Sequence, residues 1–79
     1  MEDLKNSKRI VGIKQSVKAI ENGIVQTVYL AEDADQKVLQ KIKDLCTEND
    51  LPIIYVESMK VLGKACCIEV GAAAACIVR

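Results

Sequence analysis

No histidine, tryptophan or phenylalanine occurs in this 79-residue chain, and proline occurs once. Without histidine, the usual general base and the commonest metal ligand are both missing. With two tyrosines as the whole aromatic complement, there is no stacking platform of the kind that holds single-stranded nucleic acid. Long apolar runs are lacking too: the most apolar stretch, residues 65–78, is interrupted by Glu69 and is too short to cross a bilayer. The first ten residues are polar and charged and do not read as a signal peptide. A cytoplasmic protein with no membrane partner is the expectation.

Net charge is absent as well, with eleven cations against eleven acids. The balance hides an uneven spread. Residues 1–20 carry Lys5, Lys8, Arg9, Lys14 and Lys18 against Glu2 and Asp3, a local +3. Residues 21–50 carry seven acids against Lys37, Lys41 and Lys43, a local −4. Such a chain presents either an ordinary mixed surface or a basic face opposite an acidic one.

Four cysteines are present. Cys46 and Cys66 fall on apolar faces of helical patterns and Cys76 in an apolar strand, which leaves Cys67 as the one near solvent. Their spacing matches no zinc motif, and no histidine is available to activate a thiolate. They read as packing residues. No catalytic residue, metal site, cofactor or disulfide is expected.

Taken in order, residues 1–7 are polar and predict a frayed start. Lys8 to Val11 predicts a short strand ending at Gly12. Ile13, Val17 and Ile20 then recur at helical spacing, and Asn22-Gly23 stops the pattern. Ile24 to Ala31, rich in β-branched residues, predicts a central strand covered on both faces. Asp33 with Gln36, or else Asp35, caps a helix running to about Asn49, with Val38, Leu39, Ile42, Leu45 and Cys46 on one face. Pro52 to Val56 predicts a second buried strand. Ser58 caps a short helix through Cys66, with Met59, Leu62 and Cys66 inward. Cys67 to Gly71 reads as a loop and Ala72 to Val78 as a last strand. Four alternations of strand and helix predict an α/β fold: a single domain over residues 1–79, built as a three-layer α/β/α sandwich around a four-stranded, mixed or mostly parallel sheet.

Gly12 to Lys18 is the best candidate for a functional site. Lys14, Gln15 and Lys18 share one face at the N-terminus of a helix. That end also offers free backbone N–H groups and the positive pole of the helix dipole. The combination suits a polyanion read by hydrogen bonding. Glu32, Asp33 and Asp35 are explained by capping rather than by a magnesium site. Leu62-Gly63-Lys64 lacks the pattern of a phosphate loop. Gly63, inside a helix at a cost of about 1 kcal/mol relative to alanine, permits close approach by a neighbouring chain or a ligand. Lys60 and Lys64, on the outer face of that helix, extend a basic surface. Ile68 and Val70 flank Glu69 in the loop, and they either tuck into the core or meet an apolar surface such as an unstacked base.

Gly12 to Lys18, Ala31 to Asp35, Leu51 to Val56, Leu62 to Ala65 and Ile68 to Val70 come in a familiar order. With these five motifs in register from about Ser7 to Val78, the chain resembles the kink-turn RNA-binding family of ribosomal proteins, the L-seven-Ae and L-thirty-e group. It looks closest to the small bacterial members of the YbxF type. The resemblance implies a non-enzymatic protein that binds structured RNA, ribosomal or regulatory, at a sharp bend built on tandem sheared G·A pairs. It implies that Gly12, Lys14, Gln15 and Lys18 meet those pairs. Lys14 and Gln15 stand where the general family pattern has Asn and Glu, so Gln15 accepts from guanine only through an uncharged amide oxygen. The loop implied to lie over the flipped-out nucleotide matches Cys67 to Gly71, with Ile68 and Val70 in apolar contact, Glu69 between them, and backbone N–H groups near Gly71 and Ala72 within reach of the RNA. A monomer that does not bind DNA is expected. The alternative is a protein–protein adaptor of the same fold that binds RNA weakly.

Overall fold

The structure, a computed structural model, describes residues 7–79. The expected frayed start lies, apart from Ser7, outside the described residues. Seven elements follow one another: β1 (Arg9–Val11), α1 (Ile13–Glu21), β2 (Val25–Ala31), α2 (Gln36–Glu48), β3 (Ile53–Val56), α3 (Met59–Ala65) and β4 (Ala74–Val78). They form one mixed sheet in the order β1-β4-β2-β3. β4 runs antiparallel to both β1 and β2, and β2 runs parallel to β3. β1, β2 and β3 therefore all point the same way, and each hands the chain to a helix at the same end of the sheet. Helices α1 and α2 pack on each other, while α3 lies against β2, β3 and β4. This is the expected sandwich.

The core lies where periodicity placed it. Val28, Leu30, Leu39, Ile42 and Leu62 are almost completely buried, and each burial contributes roughly 1.5–3 kcal/mol. Ala74 and Ala75 are fully covered in β4, their small side chains letting the layers close over the strand. Asn22 and Gly23 end α1 as expected, Gly23 taking φ 70° and donating its N–H to Ile20 O at 3.0 Å.

Three local expectations need correction. β3 is an edge strand rather than a buried one: Ile54 and Tyr55 are exposed, and β3 pairs only with β2. An apolar run cannot by itself distinguish an edge from a centre. Lys43 covers part of that edge, its Nζ lying 5.7 Å from the centroid of the Tyr55 ring. Val38 is exposed, because it sits on the flank of the α2 stripe whose centre is Leu39, Ile42 and Cys46. Met59, expected to face inward, is exposed at the first turn of α3.

Candidate nucleic-acid interface

Gly12 stands at N-cap of α1 with φ 110° and ψ 156°, a conformation that residues bearing a Cβ rarely adopt. A Cβ there would lie 2.6 Å from Gln15 Oε1, so the Gln15 side chain folds back over the glycine. Ser16, Ala19 and Ile20 form the buried face of α1, and Lys14, Gln15 and Lys18 are exposed together on the other. Beside them lies a shallow groove of about 300 Å³ bordered by Gln15, Lys18 and Asn22 over Ile10, Ala19 and Ile24.

All three helices begin at this end of the sheet, yet they begin differently. Asp35 caps α2, its Oδ1 accepting from Lys37 N–H at 2.9 Å. The competing cap, Asp33, does something else: its Oδ1 accepts from Met59 N–H at 2.7 Å, at the start of α3. Ser58 Oγ accepts from Val61 N–H at 3.1 Å in the same helix. Among these three helices α1 alone has no side-chain cap. Its leading N–H groups thus point out of the helix unmatched by any side chain, next to Lys14 and Lys18.

The sheet brings the second candidate segment to the same place. Gly12 N–H donates to Ala74 O at 2.9 Å, and Val11 pairs with Ala75. The loop at residues 67–73 therefore feeds into β4 immediately beside the start of α1. Within it Ile68 is half-buried against the core, while Val70 is 71% exposed. The two open readings of this pair are thus divided, Ile68 inward and Val70 outward. Glu69 and Gly71 are exposed. Of the backbone N–H groups in this region, that of Ala72 itself donates to Met59 O at 3.0 Å. Among the described residues, the amides of Glu69, Val70 and Gly71 make no such bond. They, and not Ala72, are the donors left to a ligand.

Gly63 explains how the loop is seated. An added Cβ would collide with the Val70 carbonyl oxygen and stand 3.2 Å from Gly71 Cα. The close approach foreseen for this glycine is therefore made by the loop, not by a ligand. Lys60 and Lys64 are exposed along the outer side of α3. Two contributors went unrecognised in the sequence, Asp33 at the start of α3 and Arg9, whose Nε donates to Cys66 O at 3.0 Å. No local pattern marks either, since both reach across the fold.

The three buried thiols stay apart from this surface chemistry. Burial pushes Cys46 up to about 11, with Cys76 nearby adding to it. Burial also raises Cys66, with Arg9 opposing and Cys67 adding. It raises Cys76, opposed by the Ser16 hydroxyl and the Ile10 backbone; the Ser16 contact is a weak one, since its buried Oγ lacks a well-formed hydrogen bond. A raised thiol stays protonated and inert at neutral pH. Alkylation at pH 8 is expected to label Cys67, the exposed thiol, and to reach the other three only in denaturant. Rapid labelling of a second cysteine in the folded protein contradicts this assignment. Among the described residues, no group of His, Cys, Asp or Glu is placed to hold a metal ion.

Comparison with known proteins converges on one family. Residues 2–79 match the ribosomal protein L7Ae/L30e/S12e/Gadd45 family. The chain is 50% identical over 68 residues to an RNA-binding protein of Caldanaerobacter subterraneus subsp. tengcongensis, covering 86% of this chain and 83% of that one. It is 43% identical over 76 residues to the RNA-binding protein YbxF of Geobacillus stearothermophilus, covering 96% and 93%. Its fold is similar to that of the Giardia lamblia 15.5kD RNA binding protein, with a TM-score of 0.84 and 25% identity over 90% of this chain and 60% of that one. The chain belongs to the ribosomal protein L7Ae/L30e/S12e/Gadd45 family, and its relatives include bacterial proteins of the YbxF type.

Proposed function

We propose that this protein is a non-enzymatic RNA-binding protein that recognises kink-turns through their tandem sheared G·A pairs and acts as a cytoplasmic monomer. The observation that carries the reading is the open start of α1. Of three helix N-termini at one end of the sheet, only this one lacks a side-chain acceptor, and it bears Lys14, Gln15 and Lys18. The names of the relatives, RNA-binding proteins at 43% and 50% identity, support the same class of ligand.

In this reading Lys14 and Lys18 donate to guanine O6 and N7 or to phosphates, and Gln15 accepts through Oε1. The Gln15 side chain folds back over Gly12, which keeps Oε1 near the start of α1. Val70, with the free amides of Glu69 to Gly71, meets the extrahelical nucleotide at the bend. Charge neutralisation supplies affinity and base contacts supply specificity.

Titration against a kink-turn duplex, and against the same duplex with Watson–Crick pairs in place of the G·A pairs, tests the proposal. Tight binding restricted to the first supports it, and equal affinity for both sinks it. Lys14→Ala and Lys18→Ala are each expected to weaken kink-turn binding by about 1–3 kcal/mol where the lysine contacts a base. Isothermal titration of each variant at fixed salt reads the loss directly.

A further inference from the structure

Helix α3 is held at both ends by side chains from other elements. Arg9 Nε donates to Cys66 O at its C-terminal cap, a cation at the negative pole of the helix. At the other end, Asp33 accepts from Met59 N–H at 2.7 Å across 26 positions of sequence. Ser58 already caps this helix through Val61, so the helix start does not depend on Asp33 alone. What depends on Met59 is the loop. Met59 O accepts from Ala72 N–H at 3.0 Å, and a Cβ added to Gly71 would stand 3.1 Å from Met59 Cβ. One turn further on, Gly63 O accepts from Ile68 N–H at 3.1 Å. The exposed tip, Glu69 to Gly71, therefore hangs between two anchors on α3, and Met59 is one of them.

We propose that Asp33 is a positioning residue for this loop: by holding Met59 it sets where Val70 and the neighbouring free amides meet the extrahelical nucleotide. The proposal rests on the kink-turn reading above. A tip already held in place binds without a further ordering cost, whereas a tip released from Met59 must be ordered by the RNA. Asp33 is itself exposed, and its carboxylate also repels phosphate. Its removal therefore has two opposite effects, a uniform gain from lost repulsion and a loss confined to the nucleotide under the loop. Asp33→Ala and Asp33→Asn remove the same charge, but only asparagine keeps an oxygen that can accept from Met59 N–H.

The test uses two probes, a kink-turn duplex and the same duplex with an abasic residue at the extrahelical position. The ratio of the two Kd values isolates the loop contact. For the wild type it is expected to be about tenfold, the worth of burying one valine side chain. In Asp33→Ala it is expected to fall to about twofold or less, and in Asp33→Asn to stay near the wild-type value, because only the first leaves the tip to be ordered on binding. An unchanged ratio in Asp33→Ala overturns the proposal. An equal fall of the ratio in both variants shows that an oxygen able to accept from Met59 N–H does not hold the tip in place, and overturns it too. A wild-type ratio of one, with discrimination against the G·A-disrupted duplex retained, refutes the loop contact while leaving G·A recognition standing. Amide exchange of the wild type supplies a readout that needs no variant to fold. Met59 and Ala72 are expected to be protected relative to Glu69, Val70 and Gly71, and a Met59 amide exchanging as fast as those three removes the anchor.

Discussion

Gly63→Ala is expected to lower the melting temperature, although alanine is the better helix former. The two effects oppose each other and their sizes decide the sign. Replacing a helical glycine by alanine contributes about 1 kcal/mol. Against it stands the Val70 carbonyl oxygen, which occupies the place of the new methyl group, with Val70 C 3.1 Å away. The obstacle is backbone, tied to α3 by Ile68 N–H on Gly63 O and by Ala72 N–H on Met59 O, so it cannot rotate aside as a side chain would. Overpacking of this kind costs about 1–3 kcal/mol and sometimes more. With the clash at the upper end of that range, the net loss is roughly 1–2 kcal/mol, a fall of about 4–16 °C for a domain of this size. Thermal unfolding followed by circular dichroism measures it. A melting temperature equal to or above that of the wild type shows that the loop is not seated on Gly63. The variant is also expected to lose discrimination between the intact and abasic kink-turns, because the displaced segment is the one that carries Val70.

Replacing both sheared G·A pairs by Watson–Crick pairs is expected to cost the larger factor. Each unfavourable base pair in a recognition site is worth about 1–3 kcal/mol, so two pairs amount to roughly a thirtyfold to twenty-thousandfold loss. What remains is the electrostatic part. Lys14 and Lys18 are exposed and still reach phosphates on a duplex of any sequence. That residual binding retains a slope against log salt of about −0.9 per phosphate neutralised, if the stems remain A- or B-like duplexes. The control RNA should therefore bind weakly but with strong salt dependence. The intact kink-turn should bind tightly with a similar slope. Curves that differ in slope and coincide in affinity at one salt concentration contradict base readout by α1.

Much of this arrangement was readable in the linear chain, because its cues are local. The start of α1 is marked by Gly12 and its face by the spacing of Lys14, Gln15 and Lys18, and the structure exposes all three together. The helical stripe of α2 and the Ser58 cap follow from the same short-range rules. What was not readable depends on partners far along the chain. Asp33 has the composition of a cap for α2, but its acceptor oxygen serves α3. The Ala72 amide is unavailable because Met59 O lies opposite it. β3 has the composition of a central strand, and only the order β1-β4-β2-β3 puts it at an edge. Gly63 announced a close approach, but the approaching atom belongs to a loop in the same chain. Chemistry within a turn was legible, and pairing across the fold was not.

The shared direction of β1, β2 and β3 has a kinetic consequence. With every helix starting at one end of the sheet, the positive poles of α1, α2 and α3 lie together and their negative poles lie together at the other end. The molecule has no net charge, so a polyanion at a distance feels no overall attraction. It does feel a field with a direction. That field turns the protein before contact, presenting the uncapped helix first, and so raises the fraction of encounters that are productive. Association with RNA should accordingly speed up at low ionic strength even though the protein is neutral.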